Sequence, residues 1–216
     1  MEKVYFPMKY YRLTQGYGSK SSSHKNILAI DVGGKDTGRD DIFAPFTGII
    51  KKKYVKKGVA NTIWFESIDK VKCANGEETY LTMLLAHDDN IDDLKVGQKI
   101  LQGQKFMEEG RSGNATGNHL HIELSNKKFY NKGWNQNKYG DWQINSAVKP
   151  EEYMFLRNDQ VVLNDVYKNT KYELKKDSSF TYNIIEKLNN CEIVFNNYLD
   201  ENSYNKAKES IKKWIS

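Results

Sequence analysis

Short apolar runs separated by polar turn residues dominate residues 1 to 150 of the chain. Glycine, asparagine and aspartate bound most of these runs, and runs of this length with such boundaries are typical of strands rather than helices. We therefore predict a mainly β fold, built as an antiparallel sheet or sandwich. The predicted strands cover residues 26–32, 48–53, 62–67, 80–87, 105–109 and 119–125.

The pattern changes after Pro150, where apolar residues recur at steps of three and four, as on one face of a helix. These positions are Ile184, Leu188, Cys191, Phe195 and Tyr198, and then Tyr204, Ala207, Ile211 and Trp214. The pattern predicts a main β domain over residues 1–153 and a small C-terminal α-helical extension over residues 154–216. Because such a stripe is usually a packing face, we expect the extension to be a docking element.

Composition narrows the classes of partner. The 216 residues carry a net charge of +5, which favours acidic partners, but no Lys/Arg cluster alternates with aromatic residues as in a nucleic-acid groove. No apolar run is long enough to span a membrane. The first residues contain no apolar signal-peptide core, so we expect synthesis in a cytoplasm without a secretory signal.

Histidine is scarce, and its distribution indicates chemistry. Two of the four histidines, His119 and His121, lie in the stretch GNATGNHLHIEL. On a strand, side chains alternate between faces, so His119, His121 and Glu123 share one face while the apolar residues between them point to the core. The alternative is a pair of exposed histidines on a solvated sheet face.

The other two histidines strengthen the case for a site. His24 precedes the apolar run NILAIDV, which contains Asp31, and His87 ends the run YLTMLLAH. A buried carboxylate is costly unless it meets a cation or a metal, although Asp31 could instead cap the following glycine turn and His87 could be a satisfied core residue. A catalytic zinc site needs three protein ligands and an open position. His24, Asp31 and one histidine of the HxH pair supply three, leaving two histidines for proton transfer.

Several motifs of the chain together resemble those of the lysostaphin-type zinc peptidases, the M23 or LytM family of peptidoglycan endopeptidases. The resemblance covers residues 12 to 153. Its motifs are LTQGYGSKSSSH, AIDVGG, IFAPFTGII, LLAHDDN, EEGRSGNATGNHLHIEL and VKPEEYMF. It implies a lysostaphin-type core that binds one Zn²⁺ per chain.

The resemblance also implies a role for each site residue. His24, Asp31 and His121 correspond to the zinc ligands, and His87 and His119 to the active-site histidines that do not bind metal. Glu123 is a candidate partner that fixes the tautomer of a histidine, and Asn61 and Asn118 are candidates for lining the groove.

One spacing departs from the common family pattern HxxxD, because six residues separate His24 from Asp31. This longer spacing resembles that of tail-associated endopeptidases of bacteriophages. It also resembles the D-alanyl-D-alanine peptidase pattern SxHxxGxAxD, but Ile27 replaces its glycine and the HLH motif favours the lysostaphin type.

The resemblance implies an enzyme that cuts the cross-bridge or stem peptide of peptidoglycan, as a tail-associated lysin or a holin-released endolysin. Its expected partners are bacterial peptidoglycan and phage tail proteins, and the extension is then a docking or wall-binding element. The alternatives are a D-alanyl-D-alanine-type zinc peptidase and a non-catalytic lysostaphin-fold protein that binds the wall.

Overall fold

The computed structural model describes residues 1–18 and 24–163, together with the backbone of three further strands at 174–176, 182–188 and 191–198. These residues form strands and loops almost throughout, and the single helix among them is the four-residue α1, Pro150–Tyr153. The predicted mainly β class is therefore confirmed. The strands are β1 (Tyr10–Gln15), β2 (Ala29–Gly33), β3 (Asp41–Phe43), β4 (Gly48–Tyr54), β5 (Thr62–Ser67), β6 (Val71–Lys72), β7 (Glu78–Thr79), β8 (Thr82–Ala86), β9 (Lys99–Ile100), β10 (Lys105–Glu108), β11 (Leu120–Ser125), β12 (Trp134–Gln136), β13 (Trp142–Ile144), β14 (Ala147–Val148), β15 (Val161–Val162), β16 (Leu174–Lys176), β17 (Tyr182–Leu188) and β18 (Cys191–Tyr198).

A nine-stranded sheet forms the centre of the described fold. Its strand order is β15-β1-β2-β11-β8-β5-β4-β9, with β14 pairing at the end of β11. Every pair is antiparallel except β1 with β15. All six predicted strands are present, with ends shifted by up to a few residues.

The register of the three middle strands positions the polar residues of interest. His121 on β11 lies opposite Asp31 on β2, and on its other side it lies opposite Ala86, the last residue of β8. His87 follows directly. The sheet thus brings residues that are far apart in sequence into one row.

Alternation along these strands supplies the core. Leu120, Ile122 and Leu124 are fully buried and belong to the main hydrophobic cluster, as do Ile30 and Val32 on either side of Asp31. Burying a side chain of this size stabilises a fold by roughly 1.5–3 kcal/mol. Because the inward residues fix the strands in register, the intervening polar side chains must point to the opposite face.

The first predicted helical stripe is wrong. Residues 182–188 and 191–198 form β17 and β18, which pair antiparallel with Ile185 opposite Val194. Isoleucine and valine are common here, and β-branched residues favour strands. The steps of three and four along this stretch were therefore coincidental. The second stripe, from Tyr204 to Trp214, lies outside the described residues.

The segment after α1 folds back along the N-terminal residues. The backbone of Phe155 exchanges hydrogen bonds with Val4 and Phe6, at 2.7 and 2.8 Å. The buried Gln160 side chain donates to the carbonyls of Phe6 and Met8, both at 2.6 Å. We therefore propose a domain boundary after Leu163 rather than after residue 153.

Within the part of the chain that the structure describes, no helix is long and apolar enough to cross a membrane.

Candidate active site

One carboxylate oxygen, Oδ1 of Asp31, lies at the centre of the histidine cluster. It is 2.9 Å from Nδ1 of His121, 3.4 Å from Nε2 of His24 and 3.7 Å from Nε2 of His119. The ring of His87 lies beside that of His119, with the centroids 4.3 Å apart. All four histidines of the chain and the predicted aspartate thus meet in one place, as the sequence indicated.

His121 lies between two carboxylates. Its Nδ1 faces Asp31, and its Nε2 is 3.1 Å from Oε1 of Glu123. The other oxygen of Glu123 accepts a hydrogen bond from the backbone N–H of Ile144 at the end of β13. Glu123, which is buried, therefore fixes the orientation of the imidazole and leaves Nδ1 as the nitrogen that faces the cluster.

His87 is held by the loop that precedes the HxH pair. Its Nδ1 is 2.8 Å from the carbonyl oxygen of Ser112, and the N–H of Ser112 donates to the His87 carbonyl at 3.0 Å. A carbonyl oxygen only accepts, so Nδ1 carries the proton and Nε2 is the acceptor of the neutral ring. The backbone of His87 has a φ of 84°, in the left-handed region that few residues other than glycine adopt. Such strain is often found at functional sites.

His119 has the same tautomer for the same reason. Its Nδ1 is 2.9 Å from the carbonyl oxygen of Gly117, so Nδ1 donates and Nε2 points towards Asp31. His119 precedes β11 and forms an isolated bridge with Gly110. The two histidines that the resemblance assigns to proton transfer therefore both expose a basic Nε2.

The electrostatics keep two of the three candidate ligands in their metal-binding forms at neutral pH. Burial lowers the pKa of His24 to about 4, so its imidazole is neutral and keeps a lone pair. Burial alone would raise the pKa of Asp31, but the hydrogen bond from His121 and the nearby histidines lower it, so the carboxylate is ionised. For His121, burial lowers the pKa, yet the hydrogen bonds to Asp31 and Glu123 raise it to about 10. The surroundings of His121 thus strongly favour a positive charge.

His24, Asp31 and His121 also have the geometry of a metal site. One ligand atom from each lies within 4.8 Å of the others. Two imidazole nitrogens and one carboxylate oxygen are a donor set that suits Zn²⁺, and metal binding requires the unprotonated ligand forms. The residues present therefore fit zinc.

Several residues that support the site were not predicted from the sequence. The carbonyls of Ser112 and Gly117 set the tautomers, and the glycine-rich stretch indicated a tight loop without showing which carbonyls face a histidine. Asn61 was expected to line a groove, but its side chain donates to the carbonyls of Asp88 and Asp89 and so holds the loop that follows His87. Asn118 donates to the carbonyls of Thr37 and Gly38, both at 3.0 Å.

The fold and the site together define the lysostaphin-type class of metallopeptidases. The sequence profile described as peptidase family M23 matches residues 25–137, just over half of the chain. The chain belongs to this family, whose members are zinc metallopeptidases. The matched range includes Asp31, His87, His119 and His121 and begins one residue after His24.

Similar proteins include one from a bacteriophage. Morphogenesis protein 1 of Bacillus phage B103 is 35% identical over 130 residues, which are 60% of this chain and 33% of that protein. The chain thus spans about a third of the length of this relative.

Two solved structures are also similar. The catalytic domain of the prophage-encoded M23 protein EnpA from Enterococcus faecalis is 21% identical, with a TM-score of 0.42 over 60% of this chain and 93% of that one. A zinc-containing peptidase from Vibrio cholerae is 23% identical, with a TM-score of 0.41 over 57% of this chain and 37% of that one.

Proposed function

We propose that the chain is a zinc-dependent endopeptidase that hydrolyses peptide bonds of bacterial peptidoglycan as part of a bacteriophage lysin. The observation that carries the proposal is the convergence of ring nitrogens from His24, His119 and His121 within 3.7 Å of Oδ1 of Asp31. Membership of a family of zinc peptidases supports the chemistry. The similarity to a phage morphogenesis protein supports the phage setting.

In this proposal His24, Asp31 and His121 hold the metal, with His121 binding through Nδ1 because Glu123 engages its Nε2. A zinc ion bound there lowers the pKa of water and polarises the scissile carbonyl. Asp31 contributes the negative charge, and the two imidazoles leave a position for water and substrate. The ligands come from β2, from β11 and from the segment before β2, so the sheet fixes their spacing.

His87 and His119 handle protons. Both carry their proton on Nδ1, where a backbone carbonyl accepts it, and therefore present Nε2 as a base. Burial lowers the pKa of His87 to about 4, which keeps its ring neutral at pH 7. One Nε2 takes the proton of the attacking water. That ring then passes the proton to the leaving amine, and the other ring, when it is protonated from solvent, donates a hydrogen bond to the developing oxyanion.

Metal content and wall lysis test these assignments separately. Wild-type protein should contain one zinc per chain, and Asp31→Ala and His121→Ala should lose it. His119→Ala should keep the zinc but slow the lysis of purified cell walls by about 10²–10⁴-fold, the usual contribution of acid–base catalysis. Asp93→Ala, at an exposed aspartate, is the matched control. Full zinc occupancy in either ligand variant, or unimpaired lysis by His119→Ala, contradicts the assignment.

A D-alanyl-D-alanine-type peptidase is the second candidate, and the six residues between His24 and Asp31 favour it. Mass spectrometry of digested walls separates the two, because the endopeptidase opens cross-links whereas the second enzyme releases a terminal alanine. A digest without either product would instead support a non-catalytic wall-binding protein.

A further inference from the structure

A pocket of about 540 Å³ lies beside the active-site histidines and is lined mainly by cationic and small polar residues. Its lining consists of Arg12, Arg39 and Arg111, with Thr37, Thr116 and the Gly117–Asn118 peptide. No carboxylate side chain is among the lining residues that the structure describes. The pocket is therefore a place where a negatively charged group meets several donors.

The choice of arginine over lysine is selective. The chain has 33 basic residues, but only four of them are arginines, at positions 12, 39, 111 and 157. Three of the four line this one pocket, and no lysine is among its described lining residues. Lysine supplies general surface charge as well as arginine does, whereas the planar guanidinium binds a carboxylate through two parallel hydrogen bonds. The distribution thus indicates recognition of an anion rather than solubility.

The three guanidinium groups are not equally neutralised within the described part of the chain. Arg39 pairs with Asp89. Arg12 donates to the backbone carbonyl of Asp36 at 2.7 Å, and its buried Nε makes no hydrogen bond with a described residue. The exposed Arg111 side chain forms no ion pair with a described residue. Neither Arg12 nor Arg111 therefore forms an ion pair with a described carboxylate, although the charge of Arg12 opposes the rise in the pKa of the buried Glu109.

The walls of the pocket are held in place without a ligand. Residues 34–40 form one wall, and Glu109 accepts hydrogen bonds from the N–H groups at both ends of it, Gly34 at 2.8 Å and Asp40 at 3.0 Å. Asn118 crosses from the opposite wall to the carbonyls of Thr37 and Gly38. A preorganised site of this kind loses little entropy when it binds a ligand.

The opposite wall connects the pocket directly to the reaction centre. The Gly117–Asn118 peptide precedes His119, and the Gly117 carbonyl accepts the hydrogen bond that sets the His119 tautomer. A peptide that presents its scissile bond to His119 therefore passes the pocket with a neighbouring part of its chain.

We propose that this arginine pocket is a substrate subsite that binds a free carboxylate close to the scissile bond, which rests on the endopeptidase function proposed above. The substrate class is then an acidic peptide, such as a peptidoglycan stem whose carboxyl groups are not amidated. An uncharged bridge of glycine residues does not offer this group. Recognition of the carboxylate then favours walls whose stem peptides carry free carboxyl groups, and it determines which peptide bond reaches the histidines.

Matched substrates and variants test the subsite. The substrates are cross-linked muropeptides in which each free carboxyl group is converted in turn to a carboxamide. One such conversion should lower the kcat/KM of the wild type by about 10-fold or more. Arg111→Gln should cause a similar loss on the unmodified muropeptide and little further loss on the amidated one. Arg111→Lys should retain only part of the preference for the carboxylate, because lysine keeps the positive charge but lacks the two parallel hydrogen bonds of the guanidinium. Arg157→Gln is the charge-matched control.

Equal effects of Arg111→Gln on both substrates, or no effect on either, overturn the subsite. The subsite is also overturned if wall binding is lost when phosphate-bearing polymers are removed but not when the peptides are amidated. That result would indicate a phosphate site instead. If the wild type cleaves none of the muropeptides, the proposed function fails. The pocket alone is then tested by calorimetry, which compares the binding of the carboxylate and carboxamide muropeptides to the His87→Asn chain with and without Arg111→Gln. A preference for the carboxylate that depends on Arg111 supports the pocket. Equal binding of both muropeptides refutes it.

Discussion

Asp31 shows how a strand position gives one side chain several functional partners. Its neighbours Ile30 and Val32 are buried in the core, which forces the carboxylate to the opposite face of β2. The antiparallel register places it directly across from His121, where opposed side chains are close enough to interact. Its cost of burial is offset by the ring nitrogens around it, as expected for a buried charge.

The position of Glu123, between His121 and the Ile144 N–H, leads to a prediction about metal affinity. A glutamate accepts both hydrogen bonds. The glutamine of Glu123→Gln has one oxygen and one NH₂ group, so in either orientation its NH₂ faces one of the two N–H donors. We expect the variant to bind zinc about 10–100-fold more weakly, as for other partners of metal ligands. Competition with a chelator of known affinity measures this.

Glu66→Gln provides the control for that experiment. Glu66 also accepts a backbone hydrogen bond, from Phe129 at 2.5 Å, but its other described partner is Lys51 rather than a histidine. Its substitution should leave zinc affinity unchanged. Identical affinities for Glu123→Gln and wild type would mean that Glu123 does not support the metal site.

At the residue scale, sequence reasoning could find the participants but not their protonation. Alternation along a strand predicted that His119, His121 and Glu123 share a face, and the hydrogen bond between His121 and Glu123 confirms it. The tautomers of His87 and His119 depend on the carbonyls of Ser112 and Gly117. The direction of a loop carbonyl depends on backbone angles that the sequence pattern does not contain.

At the scale of elements, the loop of residues 34–40 depends on one buried acid. Glu109 is 1% exposed and accepts from the N–H groups of Gly34 and Asp40. Burial raises its pKa from 4.5 to about 7, against the opposing effect of these two hydrogen bonds, and the Asp40 carboxylate adds to the increase. The folded protein thus retains a proton that the unfolded chain has already released.

The linkage has a definite sign. Between about pH 4.5 and pH 7 this carboxyl binds fewer protons in the unfolded state than in the folded state, so the contribution of Glu109 to the free energy of unfolding falls as the pH rises and then levels off. The full effect of Glu109 is up to about 3 kcal/mol. We expect Glu109→Gln to remove this contribution to the pH slope while adding a pH-independent loss, since its amide accepts only one of the two hydrogen bonds. Denaturant unfolding across this pH range measures the difference from wild type.

Glu108→Gln is the neighbouring control, because Glu108 is exposed and pairs with Lys105. It should keep the wild-type slope. A Glu109→Gln protein with the same slope as wild type would show that Glu109 is ionised throughout this range.

Local patterns predicted the elements best where burial and turns agreed. The run that became β11 alternates apolar and polar residues, and the run that became β5 is a short apolar run. Both were predicted almost to the residue. The stretch of residues 184–198 gave conflicting signals. Its apolar positions include steps of three and four, but four of them are isoleucine or valine, and the propensity of these β-branched residues favours the strands that form.

At the scale of the molecule, the sequence predicted the fold class but not which late residues complete the sheet. Pairing between β1 and β15 joins positions 151 residues apart, as in Tyr10 opposite Val161, and no local pattern carries such information. The change of pattern after Pro150 suggested a boundary at residue 153. Hydrogen bonds that join Phe155, Gln160 and Leu163 to the N-terminal residues support the boundary after Leu163 that we propose.

Two truncations test this boundary. A chain ending at Tyr153 loses the Gln160 side chain, which leaves the carbonyls of Phe6 and Met8 without these donors, although both residues are almost completely buried. Each unsatisfied buried group costs about 1–3 kcal/mol. At about 2–4 °C per kcal/mol for a domain of this size, we expect a Tm at least about 5 °C below that of a chain ending at Leu163.

The chain ending at Leu163 keeps all of these contacts and should melt close to the full-length protein. Gln160→Ala in the full-length chain isolates the side chain: it should reproduce a large part of the loss, because it removes both hydrogen bonds while leaving the Phe155 backbone pairing intact. Zinc content measured alongside separates a loss of packing from a loss of the metal, which itself stabilises the fold by mass action. Equal melting temperatures for the two truncations would place the boundary at residue 153.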